Sequence, residues 1–255
     1  MPRLHLLGTG SGLLNPRRGA SACLLEGAVQ DVLLDAGEPV AATLARRKYD
    51  WSRLAGIVIS HTHADHLGGL PMLLQQVHLS GRTGSLSLHA PPEFAAVARE
   101  HLARYYLFPE AFAFSWQVQP LQAGSEFELA GCHFRPLATT HLAHYSSPAR
   151  DLGYPNRCEA FALAVRSGSC RFLYSGDVGS FLDLESEMPD AGFAIVDSTH
   201  IDLEAVARWA ELHPAVTVVL SHVSPAFDFE ALEQLKARFP GARVRLAEEG
   251  EILEG

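Results

Sequence analysis

His61-Thr62-His63-Ala64-Asp65-His66 places four ligand-type side chains within six residues. Imidazole nitrogens and carboxylate oxygens are the donors that borderline divalent metals take. Left unpaired in a core, such groups are expensive to bury. A cation offsets that cost by neutralising the carboxylate and occupying the imidazole lone pairs. The alternative, a solvated polar loop, gives no reason for such a density of ligand types. Within one turn of chain the four side chains diverge: His61 and His63 are expected to point one way, Asp65 and His66 the other. That divergence suits two neighbouring metals, which lie about 3.5–4 Å apart in hydrolytic sites. Zinc suits the donors, and manganese or iron are compatible with them.

More ligands must come from elsewhere, and three segments offer them. They are Thr139-Thr140-His141-Leu142-Ala143-His144, Tyr174-Ser175-Gly176-Asp177 and Leu220-Ser221-His222-Val223-Ser224-Pro225. Each puts a ligand-type residue just past an apolar run, where open α/β layers place their sites. Any one of them alone is more often structural. Beside the first motif they become candidates.

The elements that must position these residues alternate along the chain. Leu4–Leu7, Ala22–Leu25 and Val32–Leu34 read as strands, the last two as a hairpin. The β-branched run Ile57-Val58-Ile59 reads as a buried strand leading into the first motif. Helices are expected over Glu38–Lys48, Leu67–Leu79 and Pro92–Tyr105. Strands are expected near Ser85–His89, Trp116–Val118, Glu126–Leu129, His133–Ala138, Ala160–Val165 and Arg171–Tyr174. The last part alternates Phe193–Val196 (strand), Leu203–Leu212 (helix), Val216–Leu220 (strand), Phe229–Phe239 (helix) and Arg243–Leu246 (strand). Hairpins mixed with β-α alternation suggest two sheets with helices on their outer faces.

The 255 residues are 47% hydrophobic, enough for a large core and compatible with one domain over 1–255. A net charge of −9 argues against a large nucleic-acid footprint, which needs clustered Lys and Arg. The four cysteines form no CxxC pair and are expected reduced and mostly buried. No apolar run approaches the roughly 20 residues of a membrane helix, and the N-terminus lacks a signal-peptide pattern, so a cytoplasmic protein is expected.

Taken together, these motifs resemble the metallo-β-lactamase-fold superfamily, in its ribonuclease Z and phosphodiesterase-like branch. The resemblance runs from Gly8-Thr9-Gly10-Ser11-Gly12 and Leu33-Leu34-Asp35-Ala36-Gly37 through the HxHxDH motif to Leu246-Ala247-Glu248-Glu249-Gly250. It implies a four-layer αββα sandwich, two mixed sheets face to face with helices outside, and two metals at one edge between the sheets. It implies that His61, His63 and His141 hold one metal, that Asp65, His66 and His222 hold the other, and that Asp177 bridges them. His144 rivals His141; His141 is preferred because it follows the strand Phe134–Ala138 and its Thr-Thr extension. Asp35 would orient a metal-bound imidazole.

The chemistry so implied is hydrolysis by a metal-activated hydroxide, with Asp65 also accepting a proton. Relatives in the branch supply a leaving-group histidine from a His-Glu-Ala-Thr segment. Here the stretch is Asp197-Ser198-Thr199-His200, with Asp197 where that histidine stands, so His200 becomes the candidate catalytic acid. Ribonuclease Z relatives also carry a long tRNA-gripping arm between the third histidine and the bridging aspartate. Only Leu142–Gly176 lies there in this chain, which disfavours tRNA 3′ processing and favours small phosphodiesters. Tyr145, Arg150, Tyr154 and Arg157 are candidates to line a pocket for an anionic small-molecule substrate. Hydrolysis of another ester, lactone or thioester is the alternative on the same scaffold. Relatives in this branch are often dimers, so a homodimer is compatible.

Overall fold

Alternate residues of the strands serve different cores, and this fixes the layering. The computed structural model describes residues 3–254. Strands β1 (Arg3–Gly8), β2 (Ala22–Glu26), β3 (Asp31–Leu34), β4 (Leu54–Val58), β5 (Leu86–Ala90) and β6 (Trp116–Pro120) come first. Then follow β7 (Phe127–Leu129), β8 (Cys132–Thr139), β9 (Ala160–Ser167), β10 (Cys170–Tyr174), β11 (Phe193–Asp197), β12 (Thr217–Ser221), β13 (Val244–Leu246) and β14 (Ile252–Glu254). They make two seven-stranded sheets, ordered β14-β1-β2-β3-β4-β5-β6 and β13-β12-β11-β10-β9-β8-β7. Each sheet begins with antiparallel hairpins and continues with parallel strands. Strand β14 was not foreseen from the sequence; it returns to pair with β1 and ties the end of the described chain to its beginning.

The helices are α1 (Val40–Arg46), α2 (Ala64–Leu67), α3 (Leu70–Leu79), α4 (Pro92–Ala95), α5 (Ala98–Ala103), α6 (Ser146–Asp151), α7 (Leu203–Leu212) and α8 (Phe229–Arg238). Cys23, Leu25, Val32, Leu34 and Val58 point inward and meet Phe134, Phe161, Leu163 and Phe172 of the facing sheet. Their neighbours Leu24, Leu33 and Ile57 point outward to α1 and α3. On the other side Leu173, Val196, Val218 and Leu220 pack on Val206 and Trp209 of α7 and Leu232 of α8. This is the expected αββα sandwich. Each large side chain buried in it contributes about 1.5–3 kcal/mol before ordering costs.

Two expected helices are broken, one of them for the sake of the site. Residues 67–79 divide into α2 and α3 at Gly68-Gly69. A Cβ at Gly69 would lie 2.6 Å from the Ala36 carbonyl oxygen, so only glycine lets the turn sit there. Gly69 N–H donates to that oxygen and Ala36 N–H donates to the His66 carbonyl, pinning the HxHxDH turn to the loop after β3. Residues 92–105 divide into α4 and α5 at Val97. The stretch between β8 and β9, for which no element was expected, contains the short α6.

Candidate metal centre

Each candidate residue follows the C-terminal end of a strand at the same edge of the sandwich. His61–His66 follow β4, His141 follows β8, Asp177 follows β10, Asp197 ends β11 and His222 follows β12. Two donor sets include residues of the HxHxDH turn, and a third, overlapping group joins Asp177, Asp197, His200 and His222. The ligand atoms of His61, His63, His141 and Asp177 all lie within 4.8 Å of one another, and so do those of Asp65, His66, Asp177 and His222. Asp177 is common to both. Its Oδ2 lies 3.7 Å from His61 Nε2 and 3.5 Å from His141 Nε2, and its Oδ1 lies 3.1 Å from His66 Nε2. His222 Nε2 lies 3.0 Å from Asp65 Oδ2, and His63 Nδ1 lies 3.2 Å from His141 Nε2. His61 and His63 fall in one set and Asp65 and His66 in the other, although the His61 and His66 ring centroids are only 4.1 Å apart. His144 stands outside both sets, with its Nδ1 3.0 Å from the His141 carbonyl oxygen.

The donor atoms suit a cation. His61 Nε2, His66 Nε2 and Asp177 Oδ1 are buried with no hydrogen-bond partner, a costly state that a divalent ion relieves. Burial, and then the surrounding imidazoles, hold His61 well below the usual histidine range. Burial likewise brings His141 down to about 4. Both are therefore neutral, the form that ligates. His66 and His222 go the other way. Burial opposes their charge, but Asp177 and Asp35 raise His66, and Asp197 and Asp65 raise His222 to about 9. So the carboxylates demand positive charge in this cluster, from a proton or from a metal.

Buried carboxylates orient the rings. Asp35 is fully buried, in a left-handed conformation with φ 58°. Its Oδ2 accepts from His66 Nδ1 (2.7 Å), the Tyr174 hydroxyl (2.7 Å) and Ser60 Oγ (2.8 Å), and its Oδ1 accepts from Ser60 N–H (2.6 Å). Accepting from Nδ1 fixes the His66 ring with Nε2 toward Asp177. Asp197 works in the same way. It accepts from His200 Nδ1 at 2.8 Å and from Thr199 N–H at 2.7 Å, and its Oδ1 lies 3.4 Å from His222 Nδ1. The sequence reading took Asp197 only as the residue displacing a histidine. Its strand-end position after Phe193–Val196, shared with Asp177, was the available signal for more. Nothing in the sequence pattern marked Tyr174 or Ser60.

His200 reaches the cluster. Its ring centroid is 4.7 Å from that of His141 and 5.3 Å from that of His222. The hydrogen bond to Asp197 raises its pKa against the opposing effect of burial.

Residues 30–239 match the family model described as the beta-lactamase superfamily domain. The chain belongs to the beta-lactamase superfamily. A ribonuclease Z of Metallosphaera sedula is 30% identical over 142 residues, 56% of this chain and 46% of that protein, so the chain spans about half the length of this curated relative. The fold matches that of the metallo-beta-lactamase fold protein YhfI from Bacillus subtilis, with TM-score 0.75 and 18% identity over 100% of this chain and 99% of that one. It also matches a diphosphatase from the PhnP family, with TM-score 0.71 and 19% identity over 100% and 98%.

Beside this superfamily centre opens a cleft of about 490 Å³, lined by Thr62, His63, Glu93, Leu142, Tyr145 and Tyr154 among others. The sequence reading put Arg150 and Arg157 in such a pocket, and the structure corrects this. Arg150 is not among the lining residues. The Arg157 side chain turns outward to Glu159, 3.1 Å away, while its N–H donates to Glu93 Oε2 at 2.5 Å. Among the described residues, no helix is long and apolar enough to cross a membrane.

Proposed function

We propose that the protein is a dinuclear metal-dependent phosphodiesterase acting on small phosphodiesters. The observation that carries this is the pair of donor sets joined at Asp177, with orphaned buried donors facing their middle. In this reading His61, His63 and His141 would hold one ion and Asp65, His66 and His222 the other, with Asp177 available to both. Two ions of the zinc type supply Lewis acidity, which lowers the pKa of water and offsets charge on a phosphoryl oxygen.

The chain's own residues do the rest. Asp65, 3.0 Å from His222 Nε2, is an acceptor for a proton released from the attacking water. The P–O bond to water forms and the P–O bond to the leaving alcohol breaks. The leaving oxygen then needs a proton. Asp197 holds His200 by Nδ1, which leaves Nε2 as the edge that donates it. The hydrogen bond to Asp197, which raises the His200 pKa, favours the protonated form.

Within 142–176 the described chain consists of a short helical loop and two sheet strands, β9 and β10. That leaves no length for a tRNA-gripping arm and supports small substrates. The test is turnover of bis(p-nitrophenyl) phosphate by zinc-loaded protein beside p-nitrophenyl acetate and a γ-lactone. Phosphodiester turnover is expected. Turnover of the uncharged ester or lactone alone would replace this reading with general ester hydrolysis.

A further inference from the structure

We infer that the cleft beside His63 binds an uncharged aromatic ester group of the substrate, the one retained on phosphorus, and so selects monoanionic aryl or nucleoside phosphodiesters over polyanionic strands. This rests on the phosphodiesterase reading for the position of the phosphorus.

The first observation is direction. Ring centroids are neighbours in the order Tyr145 to His63 (5.8 Å), His63 to His141 (5.0 Å) and His141 to His200 (4.7 Å). The cleft is at the Tyr145 end and the proton donor at the other. A leaving group directed to His200 is directed away from the cleft, which is left for the group retained on phosphorus.

The second observation is chemistry. Leu142, Tyr145, Pro148, Leu152 and Tyr154 give the cleft an apolar and aromatic wall. Tyr145, Leu152 and Tyr154 are 45%, 71% and 63% exposed, more apolar surface than a loop of this size needs to leave in water. A cleft of about 490 Å³ lies in the range of small-molecule sites and has room for a nucleobase or aryl ring. Tyrosine faces stack on planar rings without reading their identity.

The third observation is charge. No Lys or Arg lines the cleft, and its one acidic residue is Glu93. That carboxylate accepts from Arg157 N–H, Cys158 N–H and Thr62 Oγ at 2.5, 3.3 and 3.3 Å, which ties the loop to the metal-binding turn. It has no side-chain cation beside it there. A second phosphate entering the cleft would meet a negative charge with nothing to offset it.

The experiment has a binding arm and a kinetic arm. The binding arm uses diphenyl phosphate and dimethyl phosphate, both monoanions, titrated calorimetrically into zinc-loaded protein. Diphenyl phosphate is expected to bind about tenfold more tightly, and Tyr154→Ala to remove most of that margin while Tyr154→Phe keeps it. The kinetic arm compares phenyl p-nitrophenyl phosphate, thymidine 5′-(p-nitrophenyl phosphate) and methyl p-nitrophenyl phosphate. Taking ratios between wild type and Tyr154→Ala cancels intrinsic reactivity. A fall in the phenyl/methyl ratio alone assigns the cleft to simple aryl groups, and a fall in the thymidine/methyl ratio assigns it to nucleosides. Equal binding of the two phosphates, or ratios unmoved by Tyr154→Ala, overturns the inference while leaving the phosphodiesterase reading standing. Preferential diphenyl phosphate binding without any turnover would keep the cleft and overturn that reading instead. Faster turnover of an RNA trinucleotide than of the aryl diester would overturn the inferred selectivity for small monoanionic diesters.

Discussion

Asp197 Oδ2 accepts a hydrogen bond from His200 Nδ1 at 2.8 Å, and the other oxygen of the same carboxylate lies 3.4 Å from His222 Nδ1. One buried group at the end of β11 thus sets the orientation of a candidate metal ligand and of the candidate proton donor. If His200 protonates the leaving oxygen, its loss matters most when that oxygen is basic. His200→Ala is expected to lower kcat about 10²–10⁴-fold for an alkyl leaving group and far less for p-nitrophenolate. Equal losses across a leaving-group series would mean that His200 serves binding or structure.

Asp35 is the counterpart behind His66. Replacing it with Ala strands His66 Nδ1, the Tyr174 hydroxyl and two Ser60 donors in the core. The expected cost is about 3–5 kcal/mol of stability and about 10–100-fold in metal affinity. Chemical denaturation and competitive zinc titration read the two effects separately. A stability loss with unchanged zinc affinity would deny Asp35 its orienting role.

Chelation is expected to destabilise the fold. The buried His61 Nε2, His66 Nε2 and Asp177 Oδ1 lack partners without an ion. Each site at 100 times its Kd adds about 2.7 kcal/mol. Differential scanning calorimetry with and without a chelator is the check, and an unchanged melting temperature would contradict ion binding at the cluster.

His89, which belongs to none of the donor groups, predicts a pH dependence. It is buried and stacked on Phe127 with ring centroids 4.1 Å apart, and burial lowers its pKa to about 4. The unfolded chain takes up that proton at about pH 6.5. The folded pKa is depressed, so the unfolded state binds more protons between these values. The resulting loss begins below about pH 6.5 and approaches 2 kcal/mol near about pH 5. His89→Phe should reduce the slope of melting temperature against pH between pH 7 and 5; an unchanged slope would mean that His89 does not contribute to it.

Gly176 has φ +54°, and a Cβ there would lie 2.8 Å from Ser60 Cβ and Oγ. Gly176→Ala should cost about 1–3 kcal/mol through strain and should displace the adjacent Asp177. Melting temperature and zinc affinity are both expected to fall.

The fold and the metal cluster were legible for different reasons. Alternating strands and helices suggest two sheets with helices outside, while the αββα order and the two ligand sets come from the family resemblance; the topology brings the residues of those sets together. What escaped was decided by tertiary contact. The break at Gly68-Gly69 exists because Gly69 docks on Ala36. Strand β14 is three residues long, too short to carry a pattern. Tyr174 looks like an ordinary strand aromatic until its hydroxyl is seen on Asp35. Arg157 carries a charge suited to an anion, yet its side chain pairs with Glu159 outside the cleft.

Metal stoichiometry measured by plasma mass spectrometry, on wild-type protein and on Asp177→Ala after identical zinc reconstitution and desalting, tests the central claim most directly. About two ions per chain are expected for the wild type, with both occupancies reduced in the variant because Asp177 belongs to both sets. Wild-type protein retaining no metal, or an Asp177→Ala variant that keeps a full complement, would contradict a dinuclear centre joined by that carboxylate.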